Sequence, residues 1–117
     1  MRHRRVMIVE DDHLIREAIA EALDEEGFEV VEAANGREAL DELHRERASL
    51  VLLDLMMPVM DGWQFREEQL HDPELSGIPV VVLSALRDDR LHAARQFTKP
   101  CDLDELLETV WDFTGGP

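Results

Sequence analysis

The stretch 51–62, VLLDLMMPVMDG, constrains this chain more than any other. Leu50, Val51, Leu52 and Leu53 run without interruption into Asp54, and Pro58 and the Asp61-Gly62 pair then punctuate a loop. An apolar run with no alternation reads as a strand buried on both faces, and such strands belong to parallel sheets with helices on both sides. A carboxylate at the end of that strand is badly placed for ordinary solvation, so Asp54 is the first residue whose chemistry needs a reason.

The remaining segments fit the same architecture. Residues 5–9, RVMIV, read as a short buried strand that ends in Glu10, Asp11 and Asp12. Behind Asp12 as N-cap, Leu14, Ile15, Ala18, Ile19, Ala22 and Leu23 recur at helical spacing, and Gly27 supplies the stop. FEVVEA at 28–33 predicts the second strand, Asn35-Gly36 a turn, and REALDELHRER at 37–47 a helix with Ala39, Leu40 and Leu43 inward. SLVLLDL at 49–55 is the third strand, and residues 62–71 predict a helix with Trp63, Phe65 and Leu70 inward. IPVVVLSA at 78–85 gives a fourth strand ending at Ser84, and RDDRLHAARQ at 87–96 a brief helix that buries Leu91, Ala93 and Ala94. A fifth strand at 96–99 ends at Lys99-Pro100. Asp102 then caps a last helix, LDELLETVWDF, with Leu103, Leu106, Leu107, Val110 and Trp111 inward.

A chain of 117 residues suits one domain, 1–117, and no segment reads as a linker or a repeat. The formal charge of -15 argues against nucleic acid as a direct partner, because phosphate neutralisation needs clustered Lys and Arg. Arg2-His3-Arg4-Arg5 is the one basic cluster and reads as a solvated tip. The single Cys101 excludes an internal disulfide and reads as a small buried hydrophobe. No apolar run approaches the length of a membrane span and no signal-peptide core opens the chain, so a cytoplasmic protein is expected. His3, His13, His44, His71 and His92 share no ligand spacing, and Trp63 and Trp111 read as packing residues.

Five strands alternating with five helices predict a doubly wound parallel sheet with right-handed crossovers, whose ligand site lies beyond the carboxyl ends of the strands. That edge collects Glu10, Asp11 and Asp12 after strand 1, Asp54 after strand 3, Ser84 after strand 4 and Lys99 after strand 5. Carboxylates brought this close raise one another's pKa unless a counter-charge is present. A divalent cation answers that need, and all-oxygen donors favour Mg²⁺ or Mn²⁺ over zinc. Asp12 is assigned to the helix cap rather than to the metal. The Ser84 hydroxyl and the Lys99 ammonium suit an incoming anion, and a phosphoryl group beside Asp54 would find metal, ammonium and hydroxyl for its peripheral oxygens. A carboxylate can itself be the nucleophile and give an aspartyl-phosphate.

VEDD after strand 1, DLMMPVMDG around Asp54, LSA after strand 4 and TKP after strand 5 together resemble the receiver domain of two-component response regulators, over essentially the whole chain. The resemblance implies a flavodoxin-like five-stranded sheet in the order 2-1-3-4-5. It implies Asp54 as phosphoacceptor, Asp11 as direct metal ligand, Glu10 acting through water and the Met56 carbonyl as backbone ligand. Ser84 and Lys99 become the hydroxyl and the lysine that bind the phosphoryl group. The implied donor is the phosphohistidine of a histidine kinase or phosphotransfer protein, and the implied output is altered protein binding through a face built from the family's fourth helix, fifth strand and fifth helix.

Two departures stand out. Ser84 follows Asp54 by 84 − 54 = 30 positions as the pattern has it, but Lys99 follows Ser84 by only 99 − 84 = 15. That is roughly seven residues short, or about two helical turns, in the region of the fourth helix. The family's aromatic three positions before the lysine is replaced by Gln96, with Phe97 one later, so either the last strand shifts register or the coupling of hydroxyl to aromatic is missing. A pseudo-receiver with an acidic site and no switch is therefore one alternative. A phosphohydrolase with an aspartyl-phosphate intermediate is another, but Met56 stands where it wants its second acid. A dinucleotide site is excluded, since EDDHLI replaces a glycine-rich turn. With Met56 and Leu86 two residues beyond Asp54 and Ser84, no side chain there orients a hydrolytic water, and a long-lived phosphoryl group is expected.

Overall fold

Five short strands pair side by side in the computed structural model, which describes residues 4–115; the three central ones are apolar and buried almost throughout, and the two edge strands, EVVEA and RQFT, only in part. The elements are β1 (Arg5–Val9), α1 (His13–Glu25), β2 (Glu29–Ala33), α2 (Gly36–Arg45), β3 (Leu50–Leu53), α3 (Gly62–His71), β4 (Val80–Ser84), β5 (Arg95–Thr98) and α4 (Leu103–Thr114). All strands are parallel and run in the order β2-β1-β3-β4-β5, as expected. Arg2 and His3 of the basic cluster, and the Gly116-Pro117 end, lie outside the described residues.

Because strand side chains alternate, the sheet feeds two separate cores. Met7, Val9, Val51, Leu53, Val80 and Val82 meet α2 and α3 through Ala39, Leu40, Leu43 and Phe65. Val6, Ile8, Leu50, Leu52, Val81, Leu83 and Phe97 meet α1 and α4 through Ile19, Leu23, Leu106 and Val110. Asp12 caps α1 by accepting the Leu14 and Ile15 N–H groups, and Asp102 caps α4 by accepting those of Asp104 and Glu105. Each cap answers backbone donors that a helix start leaves open, a contribution of about 1 kcal/mol.

Several expectations are corrected. The helix predicted over 87–96 does not form. Residues 85–94 are an irregular strap with one turn at Asp88, where the Leu91 N–H donates to the Asp88 carbonyl. Leu91 and Ala93 give it only a small apolar footing on the core, too little to fix a helix, and Ala94 is exposed. The last strand begins one residue earlier than predicted, at Arg95. The Asn35-Gly36 turn is instead the start of α2: Asn35 caps it, and Gly36 tucks under the following loop, its N–H bonded to the Met60 carbonyl at 2.9 Å.

Burial shifts too. Leu14, Ile15 and Ala18, in the first turns of α1, are exposed, and so is Leu103 at the start of α4. With Cys101, Leu106 and Pro100, Ile15, Ala18 and Leu103 line an open apolar cavity of about 390 Å³ between the two helices. Cys101 is thus half-buried at a cavity wall rather than in the core. In α3 the inward stripe is Gly62, Phe65 and Gln69, while Leu70 faces solvent. The Gln69 amide donates to the Leu75 and Ile78 carbonyls at 2.9 Å each, so a polar side chain closes the turn into β4. Nor is the basic tip merely solvated: Arg5 pairs with Glu29 and Glu46, and the Arg4 guanidinium lies 5.4 Å from the Trp111 ring centre.

Candidate functional site

The register of the sheet sets where each polar strand end arrives. The Glu10 N–H donates to the Ala33 carbonyl at 3.0 Å and the Asp54 N–H to the Val9 carbonyl at 2.9 Å. These bonds hold both residues at one level just past β1 and β3. The Lys99 N–H donates to the Ser84 carbonyl at 2.8 Å, which brings the residue after β5 to the end of β4. Lys99 precedes a cis peptide bond to Pro100.

Glu10 and Asp54 are buried, at 3% and 6% exposure, while Asp11 is open to solvent. One carboxylate oxygen from each of the three lies within 4.8 Å of the others. The Lys99 ammonium donates to Glu10 Oε1 and stands 3.6 Å from Asp54 Oδ2. Three carboxylates thus face one ammonium. Burial pushes the Glu10 carboxyl up to about 7; hydrogen bonds from Lys99 and the Asp12 N–H offset this only in part, and the neighbouring Asp54 adds to it. Burial also works against the Lys99 charge, but the hydrogen bond to Glu10 and the nearby Asp54 outweigh it, so the ammonium is raised.

The remaining predicted residues sit around this centre. The Met56 N–H donates to Asp54 Oδ1 at 3.4 Å, and its side chain is half exposed. Ser84 is fully buried, and its Oγ accepts the Leu86 N–H at 3.3 Å. Among the described residues Ser84 makes no hydrogen bond to the acidic cluster. Asp12 is spent on the α1 cap, and its own N–H donates to Glu10 Oε2 at 3.2 Å.

The β3–α3 loop is held by close approach. A Cβ on Gly62 would lie 2.6 Å from the Asp54 carbonyl oxygen and 2.7 Å from Leu55 Cα, so glycine is required for want of room. Asp61 caps α3 in a reciprocal box with Gln64. Two residues before Asp61, Val59 sits at φ 67°, a left-handed conformation that costs a β-branched residue on the order of 1–3 kcal/mol.

Sequence reasoning passed over Arg16. From the first turns of α1 its Nη1 donates to the Glu10 carbonyl at 2.7 Å and its Nε to Glu32 at 3.1 Å, which fixes the backbone that carries the first two acids. An arginine on a polar helix face carries no signal of that role in one sequence. It also passed over Asp88, whose Oδ2 accepts the Trp63 indole N–H at 2.9 Å and whose backbone meets the Gln96 amide.

The donor set fits a hard divalent cation: oxygen ligands only, clustered, with more negative charge than the single lysine neutralises. Among the described residues no helix is long and apolar enough to cross a membrane.

The sequence matches the response regulator receiver domain profile over residues 6–111. It is 34% identical to sporulation initiation phosphotransferase F of Bacillus subtilis, covering 94% of this chain and 93% of that one. The chain spans about half the length of two other curated relatives, transcriptional regulatory protein CrdR of Helicobacter pylori and response regulator RR06 of Streptococcus pneumoniae, at 36% and 38% identity over 94% and 90% of this chain. Among solved structures, it superposes with a TM-score of 0.87 on the signal receiver domain of a signal transduction histidine kinase from Syntrophus aciditrophicus, at 32% identity over 95% of this chain and 89% of that one. It has the same fold as the receiver domain of sensor histidine kinase PA1611 from Pseudomonas aeruginosa, described with a magnesium ion coordinated in its active site cleft, with a TM-score of 0.88 at 24% identity over 98% and 100% of the two chains. With its sheet order, its acids and lysine at the strand ends and these relatives, the chain belongs to the response regulator receiver domains of two-component signalling.

Proposed function

We propose that Asp54 accepts a phosphoryl group from the phosphohistidine of a histidine kinase or phosphotransfer protein. The observation that carries this reading is the convergence of Lys99 on Glu10 and Asp54 at the strand ends. An Asp54 carboxylate oxygen bonds to phosphorus as the bond from phosphorus to the donor's imidazole nitrogen breaks; the electron pair stays on that nitrogen and the ring, already protonated on its other nitrogen, leaves as neutral histidine beside the new acyl phosphate. Asp11, Asp54, the Met56 carbonyl and, through water, Glu10 would hold Mg²⁺ or Mn²⁺, which supplies charge neutralisation to the transferring group. In this reading Lys99, which meets Glu10, would pass to a phosphoryl oxygen, and the Ser84 hydroxyl would donate to another.

The exposed Met56 and Leu86 side chains carry no group that takes a proton from water, so the acyl phosphate should persist. The same fact leaves a phosphohydrolase without its general acid/base. Incubation with acetyl phosphate should label the wild-type chain only when Mg²⁺ is present and leave Asp54→Ala unlabelled. A wild-type chain that binds Mg²⁺ yet stays unlabelled would refute the reading. Met56→Asn should shorten the life of the phosphoryl group; rapid loss from wild type, unchanged in this variant, would remove the argument from Met56.

A further inference from the structure

Asp11 is the least supported member of the acidic cluster. Glu10 is held on several sides: its N–H donates to the Ala33 carbonyl at 3.0 Å, its Oε2 accepts the Asp12 N–H at 3.2 Å and its Oε1 meets Lys99. Asp54 is buried, with its N–H on the Val9 carbonyl and its carboxylate beside Lys99. Asp11 is exposed, and among the described residues its carboxylate accepts no hydrogen bond. Its place is therefore set by its backbone. The atoms from Glu10 Cα to Asp11 Cα lie in one peptide plane, and the Glu10 carbonyl oxygen is the handle on that plane. Arg16 Nη1 donates to this oxygen at 2.7 Å. The arginine is itself anchored and largely buried: its Nε donates to Glu32 on β2 at 3.1 Å, and its Nη2 reaches His13 Nδ1 at 3.3 Å, while His13 Nε2 lies 3.2 Å from Glu17.

We propose that Arg16 is a positioning residue for the divalent cation: it holds the peptide between Glu10 and Asp11, and with it the Asp11 carboxylate, where one ion can meet all three acids. The inference rests on Glu10, Asp11 and Asp54 being the cation site. Their oxygens already lie within 4.8 Å of one another, so the site is assembled before an ion arrives. Mg²⁺ demands near-ideal octahedral ligand positions, and slack in one of so few carboxylates weakens its binding. Among the described residues no ion pair joins Arg16 to any of the three carboxylates; its one contact with the cluster is to a backbone carbonyl. Its charge alone would act in the opposite direction. A cation this close repels Mg²⁺, and removing it would tighten binding. Geometry and field therefore predict opposite signs, and a purely structural tie between α1 and β2 predicts no change in a chain that stays folded.

The test titrates the full chain with Mn²⁺ alone, reading the free ion by electron paramagnetic resonance with no phosphodonor present. Arg16→Met should weaken Mn²⁺ binding about 10-fold, as loss of a bond that orients a metal ligand does. Arg16→Lys keeps the charge but puts one ammonium where a planar fork served three acceptors, so its binding should also stay weaker than wild type. Circular dichroism establishes that each variant is folded at the temperature of the titration. With acetyl phosphate, the Mg²⁺ concentration for half-maximal labelling of Arg16→Met should rise by the same factor, while the rate at saturating Mg²⁺ approaches that of wild type. Folded variants that bind Mn²⁺ as tightly as wild type, or more tightly, would overturn the inference, and Arg16→Lys decides alone if Arg16→Met does not fold. Labelling that stays slow at saturating Mg²⁺ would place the loss in the chemistry and overturn it as well. A wild-type chain that takes up no Mn²⁺ would bring down the cation site and the inference together. A wild-type chain that binds Mn²⁺ more tightly than the Arg16 variants yet takes no label would uphold the role of Arg16 and refute only Asp54 as phosphoacceptor.

Discussion

Glu10 and Asp54 are held in place by backbone bonds to Ala33 and Val9 inside a buried sheet, whereas Asp88 is held by the side chains of Gln96 and Trp63 at its edge. In the first region the positions follow from strand register, which any sequence with the same apolar runs would reproduce. In the second they follow from particular donors meeting particular acceptors. The first therefore tolerates changes elsewhere in the chain, while the second can be undone by one amide. The contrast teaches that the acidic strand ends are set by topology and the strap beside them by individual side chains.

This contrast can be broken from either side, beginning with the largest effect. Lys99→Met takes the cation from the strand-end site and should slow acetyl phosphate labelling by about 100-fold, as loss of one charge-stabilising donor does; labelling at near wild-type rate would separate Lys99 from the chemistry. Gly62→Ala forces a methyl group onto the Asp54 carbonyl and Leu55 Cα, and chemical denaturation should report a loss of about 1–3 kcal/mol. Trp63→Phe removes the indole N–H that bonds Asp88 and trims the ring that packs against the core. It should cost about 1 kcal/mol, speed hydrogen exchange in residues 86–94 and leave labelling unchanged. If labelling fell with it, the two regions would not be separable.

The smallest effect concerns a surface tie of the same side-chain kind. His44 Nε2 and Asp72 Oδ2 meet at 2.7 Å between α2 and the end of α3, and this bond raises the histidine and lowers the carboxyl. The histidine's share is complete below its ordinary 6.5 and disappears as pH rises through the raised value. The aspartate's share is complete above its ordinary 3.8 and disappears as pH falls through the lowered value. His44→Gln should therefore lower the melting temperature between those two limits and have almost no effect near about pH 9. Equal losses at both pH values would refute the ion pair.

What could be read in the sequence divides along the same line. Apolar runs placed the strands, their polar ends placed the acids, Ser84 and Lys99, and Asp12 and Asp102 announced their caps, because burial and capping act through residue type alone. Gln69 and Leu70 show where this fails. Apolar preference assigned Leu70 to the core, but two carbonyls at the turn into β4 needed a donor, and Gln69 supplies it. The Asp88 region failed for the same reason. RDDRLHAARQ has helix-compatible residues, and nothing local reveals that Gln96 and Trp63 will claim Asp88 in another shape.

The ten residues from 85 to 94 that join β4 to β5 also bear on chain entropy. A crossover between parallel strands ordinarily takes a dozen residues or more and a helix. Loop closure changes by only about 0.6 kcal/mol for each doubling in length, so losing roughly seven residues here alters the entropy of closing the sheet by less than that. β5 is held in the sheet by its pairing with β4 along Arg95–Thr98, and the bonds from Ala94 N–H to the Val80 carbonyl and from Lys99 N–H to the Ser84 carbonyl close that pairing at either end. Length at this point is nearly free to vary in evolution, and the composition of the strap can be rewritten while the sheet closes as before.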